Sequence, residues 1–221
     1  MNDLNKRLAC VIFDMDGTLT QTNELIFASF NHVASKYLGR TFTPPEIIAM
    51  FGPPETGAVK ALFGEDRIAR AMDELIEFYR DRHAELARLH TGMDEILNFL
   101  KGRGVHLALF TGKGRRTTGI TMDAFGLNGF FSPVVTGDDV VHHKPHPEGI
   151  RKVLDHHGLR PEQALMVGDS MADVRASKAA GVRMAAVLWD SYEPEKVLAA
   201  ETELVFHRVD ELMKWFQAHI N

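Results

Sequence analysis

The apolar positions of this chain fall into two rhythms. Leu8-Ala9-Cys10-Val11-Ile12-Phe13 is an unbroken apolar run that stops at a carboxylate and a glycine. Such a run predicts a strand buried on both faces, as in a parallel sheet. Val105 to Phe110, Ala164 to Val167 and Val182 to Val187 repeat it, each flanked by helical spacing. The helices are predicted over 93–100, 115–125, 148–157 and 171–180. Gly104, Gly126, Gly158 and Gly181 stand where a helix end needs positive φ. Strand alternating with helix means right-handed crossovers, so the predicted class is α/β: a Rossmann-like open parallel sheet flanked by helices. His106, which interrupts the second run, is read as an ordinary sheet residue.

About ninety residues separate the first two runs, far more than one crossover helix needs. Within them, helical spacing covers 24–37, 45–50, 55–62 and 66–89. Gly39, Thr43-Pro44-Pro45, Gly52-Pro53-Pro54 and Gly64 punctuate it. The expectation is a small α-helical cap domain, residues 20–88, inserted into the first strand–helix loop of a core formed by 1–19 and 89–221. Met50, Phe51, Met72 and Phe78 are read as the interior of that cap.

Composition narrows the function classes. The chain has 221 residues, 45% hydrophobic and 25% charged, enough to bury a core. A formal charge of -5 without a basic face speaks against nucleic acid as a partner. No apolar run approaches the ~20 residues of a membrane span. The stretch Met1 to Arg7 is polar, without a secretory pattern, and the single cysteine, Cys10, can form no internal disulfide. Both fit a cytoplasmic location.

Ligands of an open parallel sheet bind where the strands' carboxyl ends meet helix N-termini. After the first run stands Asp14-Met15-Asp16-Gly17-Thr18-Leu19; after the second, Thr111-Gly112-Lys113-Gly114; after the third, Gly168-Asp169-Ser170-Met171-Ala172-Asp173. Lys144-Pro145 follows the short run Pro133-Val134-Val135. Crowded carboxylates call for a cation, and an oxygen-only ligand set suits Mg²⁺ rather than zinc. With the ion, Lys144 and the Gly112 amide in place, the edge is suited to a phosphate ester. Asp14, fixed at the end of a buried strand, is placed to attack phosphorus and form an acyl phosphate. Asp16, in the turn, is placed to protonate the leaving oxygen and later to activate water.

Each element also has a plainer reading. Ser170-x-x-Asp173 is a helix capping box, Asp14-x-Asp16-Gly17 a turn, and Lys144 a solvated loop lysine. What favours chemistry is that every acidic group follows a strand. Gly112-x-Gly114 lacks the third glycine of a dinucleotide fingerprint, Thr117 standing in its place. His142-His143-Lys144-Pro145-His146 is read as positioning around Lys144 or as having no role, since adjacent loop histidines rarely face one centre. Arg115 and Arg116 either meet the far end of a substrate or are solvated.

The four segments, in this order, resemble the motifs of the haloacid dehalogenase-like hydrolase superfamily with a helical type-one cap. The resemblance implies that Asp14 is the nucleophile and Asp16 the acid/base. It implies that Thr111 and Lys144 bind phosphate, that Asp14, the Asp16 carbonyl and Asp169 hold Mg²⁺, and that Asp173 supports the metal or its waters. Asp16 favours phosphatases over dehalogenases, and Thr18 favours hydrolysis over mutases. Thr22-Asn23-Glu24-Leu25 and Phe51-Gly52-Pro53-Pro54 are similar to cap segments of phosphoglycolate phosphatases and bacterial pyrophosphatases. Gln21-Thr22 and Thr111-Gly112-Lys113 depart from the phosphoglycolate phosphatase pattern. The expected substrate is therefore a small phosphorylated metabolite: phosphoglycolate first, pyrophosphate or a sugar phosphate next. The alternatives are a β-phosphoglucomutase-like phosphosugar mutase and a phospho-accepting signalling switch. The expected assembly is a monomer or a homodimer.

Overall fold

The computed structural model describes residues 8–52 and 54–220. The polar start Met1 to Arg7 and Pro53 of the Gly52-Pro53-Pro54 segment lie outside the described residues.

In chain order, β1 (Cys10–Phe13) leads to β2 (Thr20–Gln21), then to α1 (Asn23–Leu38), α2 (Pro44–Ile48), α3 (Glu55–Phe63) and α4 (Ile68–Leu86), and to β3 (Arg88–Leu89). There follow α5 (Met93–Gly102), β4 (His106–Phe110), α6 (Arg115–Ala124), β5 (Val134–Val135), α7 (Glu148–His157), β6 (Ala164–Gly168) and α8 (Met171–Ala180). The chain ends in β7 (Arg183–Val187), α9 (Pro194–Ala199), β8 (Leu204–Phe206) and α10 (Val209–His219). Six strands form one parallel sheet in the order β5-β4-β1-β6-β7-β8, the expected α/β architecture.

Side chains alternate across the sheet with period two. Val11, Phe13, Leu107, Leu109, Leu165 and Val167 enter a core with Met93, Ile96 and Leu97 of α5 and Leu212 and Phe216 of α10. Cys10, Ile12, Ala108, Phe110 and Met166 enter the opposite one, with Ile150 and Val153 of α7 and Val174 of α8. Each fully buried aliphatic or aromatic chain contributes roughly 1.5–3 kcal/mol. Two burial faces explain the unbroken apolar runs. His106, at the exposed start of β4, stacks on His157 at 4.2 Å between ring centroids.

Residues 23–86 enclose a third core, built around Leu25, Phe30, Val33, Ile47, Val59, Leu75 and Tyr79. One prediction fails here. The helical spacing over 66–89 overruns: α4 stops at Leu86, Ala87 turns extended, and Arg88–Leu89 pairs antiparallel with Thr20–Gln21. A two-residue ribbon is too short to leave a period of its own. The helical segment thus leaves and rejoins the sheet region through paired strands.

Candidate active site

The strand ends gather the predicted residues. Asp14 follows β1 and donates its backbone N–H to the Val167 carbonyl of β6 at 2.9 Å. The chain then closes a tight turn in which the Met15 carbonyl accepts from Leu19 N at 2.9 Å and Thr20 N at 3.0 Å. Gly17 has φ +76°, and a Cβ there would lie 2.5 Å from Asp169 Oδ2. Both the backbone conformation and the approach of Asp169 therefore require glycine. Thr111 continues β4 by donating to the Val135 carbonyl at 3.0 Å, and its hydroxyl oxygen accepts from Lys113 N at 3.2 Å. The hydroxyl proton stays available to a ligand.

Lys144 is buried and bridges two carboxylates, with Nζ 3.0 Å from Asp14 Oδ1 and 2.6 Å from Asp173 Oδ1. The first contact is an ion pair without hydrogen-bond alignment, since Asp14 Oδ1 has no hydrogen-bond partner. Asp173 forms the predicted capping box: Ser170 Oγ donates to Asp173 Oδ2 at 2.7 Å, and the Asp173 N–H returns to Ser170 Oγ at 3.3 Å. Asp173 thus serves the capping box with Oδ2 and Lys144 with Oδ1.

Asp14, Asp169 and Asp173 each place an oxygen within 4.8 Å of the others. Three buried carboxylates around one ammonium leave an excess of negative charge. Burial, then the charges of Asp173 and Asp16, push the Asp14 carboxyl up to about 7 against the pull of Lys144. Burial and the same kind of crowding raise Asp169 well above the usual range, although Thr18 donates its hydroxyl to Asp169 Oδ1 at 2.9 Å. Burial works against the Lys144 charge, but Asp14 and Asp173 outweigh it and hold the ammonium protonated. Asp14 Oδ1 and Asp169 Oδ2 are buried without a donor. This donor set, all oxygen and short of positive charge, fits a hard divalent cation.

Asp16 faces the other way. Its carboxylate accepts from Thr22 Oγ1 at 2.5 Å and from Lys113 Nζ at 3.2 Å and 3.4 Å. Lys113 is buried, with Nζ 3.9 Å from Glu55 of α3 and 4.6 Å from the ring centre of Tyr79 on α4. Burial opposes its charge, and Asp16, Tyr79 and Glu55 together raise its pKa. Asp14, Asp16, Thr111, Gly112, Lys144 and Asp169 all line one cavity of about 440 Å³, closed on its far side by the helical segment.

A model of the haloacid dehalogenase-like hydrolase family matches residues 11–187, from β1 to β7. The chain belongs to this family. It is 35% identical over 213 residues to pyrophosphatase PpaX of Bacillus velezensis, covering 95% of this chain and 96% of that protein. The PpaX of Anoxybacillus flavithermus is 34% identical over 207 residues, 92% and 94% of the two chains. Among solved structures, a predicted phosphoglycolate phosphatase from Haemophilus somnus superimposes with a TM-score of 0.83 at 24% identity, covering 95% and 98%. CbbY from Rhodobacter sphaeroides, in complex with phosphate, gives 0.80 at 24%, covering 93% and 96%. At that identity the likeness carries the fold. The protein is thus a phosphatase of the haloacid dehalogenase-like family, and the signalling-switch reading falls away.

Several residues of this phosphatase carry more, or less, than their sequence signal. Lys113, Thr22, Glu55 and Tyr79 form a polar network that no local motif marks, because its members meet only across the fold. Glu55 Oε2 accepts from Gly114 N at 2.7 Å and Oε1 from Thr117 Oγ1 at 2.6 Å. Met50 and Phe51, read as cap interior, also line the cavity. Arg115 and Arg116 do not reach it: they pair at the surface with Asp139 and Asp73. None of the described helices is long and apolar enough to cross a membrane.

Proposed function

We propose that this phosphatase hydrolyses small phosphorylated metabolites through a phosphoryl group carried on Asp14, with Mg²⁺ held by Asp14, Asp169 and the Asp16 carbonyl. The observation that carries this reading is the buried meeting of Asp14, Asp169, Asp173 and Lys144 at the end of β1. When bound, Mg²⁺ supplies positive charge against the phosphoryl oxygens.

The rest is work for side chains. Lys144, the Thr111 hydroxyl and the Gly112 amide would hold the phosphoryl oxygens and orient phosphorus for in-line attack. An Asp14 oxygen bonds to phosphorus as the leaving-group P–O bond breaks, and Asp16 donates its proton to the departing oxygen. The deprotonated Asp16 then takes a proton from water, whose oxygen attacks phosphorus, freeing Asp14 and inorganic phosphate. Residues 20–88 would act as a cap domain on a core of 1–19 and 89–221, excluding bulk water during these steps.

The substrate reading places pyrophosphate ahead of phosphoglycolate. The PpaX relatives carry that name, and a second buried ammonium, Lys113, lines the cavity beside Lys144 and suits a second phosphoryl group. The decisive assay follows phosphate release from pyrophosphate, phosphoglycolate and sugar phosphates, with Mg²⁺ and with EDTA. Asp14→Asn is expected to lose at least ~10⁴-fold in kcat, and Asp16→Ala to slow turnover so that labelled phosphate is trapped on the protein. An active Asp14→Asn enzyme overturns the nucleophile assignment. Transfer to a second hydroxyl without free phosphate overturns hydrolysis in favour of a mutase.

A further inference from the structure

The histidine-rich loop before α7 does not arrange itself as its sequence suggests. The neighbours His142 and His143 diverge: His143 keeps Nδ1 buried without a partner, while the ring of His142 is exposed. A turn closed by the His146 N–H donating to the His143 carbonyl at 2.9 Å brings His146 back. The rings of His142 and His146 then lie 4.5 Å apart between centroids. Glu148, the first residue of α7, completes the group. Its carboxylate accepts the amides of Val141 at 3.1 Å and His142 at 3.0 Å, and its Oε2 lies 3.1 Å from His142 Nδ1. Ligand atoms of His142, His146 and Glu148 all fall within 4.8 Å of one another.

We propose that His142, His146 and Glu148 form a binding site for a first-row transition metal ion of the Zn²⁺ class, separate from the oxygen-only cluster at Asp14. Two imidazoles and one carboxylate are the donor set that such ions prefer, whereas Mg²⁺ prefers oxygen alone. With metal–ligand bonds of about 2.1 Å, a nitrogen and an oxygen 3.1 Å apart subtend about 95° at a shared ion. That is close to a cis pair in octahedral or distorted tetrahedral coordination. The ion would replace the proton between His142 Nδ1 and Glu148 Oε2, and the exposed His146 ring, with a nitrogen within 4.8 Å of both, would supply the third ligand.

The loop amides of Val141 and His142 account for Glu148 without a metal, but they do not account for a second histidine placing a ring nitrogen within 4.8 Å of the same carboxylate. The two backbone amides also keep Glu148 ionised, holding its carboxyl down to about 2. Among the described residues the competing cation is Lys152, 3.3 Å from Glu148 Oε1; it is about half exposed and has a second acceptor in the Asp139 carbonyl. The ligands bracket Lys144 in sequence, two residues on either side, so an ion here would tie down the loop that carries the buried lysine.

The test is equilibrium binding of Zn²⁺ to the full chain in millimolar Mg²⁺, which saturates the oxygen-only cluster. One equivalent of saturable binding is expected. His142→Ala and His146→Ala should each weaken it at least about tenfold, and the double variant should lose it while keeping the parental Tm measured without Zn²⁺. His156→Ala, on the far end of α7, should bind as the parent does. Cu²⁺ bound to the parent protein should show an electron paramagnetic resonance spectrum with two imidazole nitrogens, a reading that needs no variant. Absence of saturable binding, an unchanged isotherm in the double variant, or a copper spectrum without nitrogen coupling would each overturn the site. None of these readouts depends on the phosphatase reaction.

Discussion

Two lysines line the cavity at Asp14 and Asp16, both buried, and their partners belong to different parts of the molecule. Lys144 is held by the sheet region alone: Asp14 at the end of β1, Asp173 on α8, and the Phe110 ring of β4 at 4.6 Å. Lys113 has one partner at the sheet edge, Asp16, and two on the helical segment, Glu55 and Tyr79. One ammonium is therefore held without the helical segment, and the other by contacts that join the sheet edge to that segment. A phosphate site needs the first property, and a site that must open for its substrate needs the second.

Removing each lysine should expose the difference. Lys144→Met strands Asp14 and Asp173 in the core without a counter-charge, and breaking a buried pair in this way typically costs about 3–5 kcal/mol. We expect that loss in urea unfolding with EDTA present, together with a fall in kcat of about 10³-fold. A variant of parental stability would break the contrast. Lys113→Met leaves Asp16 one-fifth exposed and still bonded to Thr22, so stability should fall by less than about 2 kcal/mol. Its effect should fall mainly on KM, at about 10–100-fold. Equal stability losses for the two variants would show that the second lysine is as firmly anchored as the first.

Glu55→Gln sharpens the same contrast from the other side. The carboxylate joins α3 to α6 through Gly114 N and Thr117 Oγ1, and glutamine can accept at only one of its two positions. A loss of about 1–2 kcal/mol and a change of a few-fold in KM are expected, with kcat for the bound substrate unchanged. A kcat loss matching that of Lys144→Met would mean that the helical segment shapes the chemistry itself.

Much of the sheet region is legible in the sequence because its signals are local. An apolar run ending in Asp14, or one ending in Thr111-Gly112, states both the strand and what stands at its end. Ser170-x-x-Asp173 states its own capping box, which the fold builds. The ribbon of Thr20–Gln21 with Arg88–Leu89 is not legible, since pairing across an insert of this length leaves no period. Leu204–Phe206 is equally silent: three residues at the sheet's edge, only partly buried, carry no long apolar run. The Lys113–Glu55–Tyr79 network escapes for a related reason. Its members lie on α3, α4 and the loop after β4, and only tertiary packing tells that they meet. His142 and His146 differ again: the turn between them, not adjacency, decides which histidines converge.

The mildest test lies where the two regions join. His90 follows the ribbon directly, donates its N–H to the Leu19 carbonyl at 3.0 Å, and sets its ring edge-on to Trp189. Burial pulls its imidazole from 6.5 down to about 4. Between those values the unfolded chain binds the proton more readily than the fold does. The stabilisation from a neutral His90 is therefore complete above pH 6.5 and fades as pH falls towards 4, by up to about 3 kcal/mol. Asp190, whose Oδ2 is 3.9 Å from His90 Nε2, works in the opposite sense. Burial and Asp16 push its carboxyl from 3.8 up to about 6, so the fold gains relative to the unfolded chain as pH drops through that range. Between pH 6 and 4.5 these two opposing slopes should largely cancel each other. His90→Leu removes only the first, so its urea midpoint should rise relative to the parent's on acidification from pH 7 to 4.5. Parallel midpoints across that range would show that the ribbon opens easily enough to hydrate His90, and that the junction between the two regions is looser than its buried ring implies.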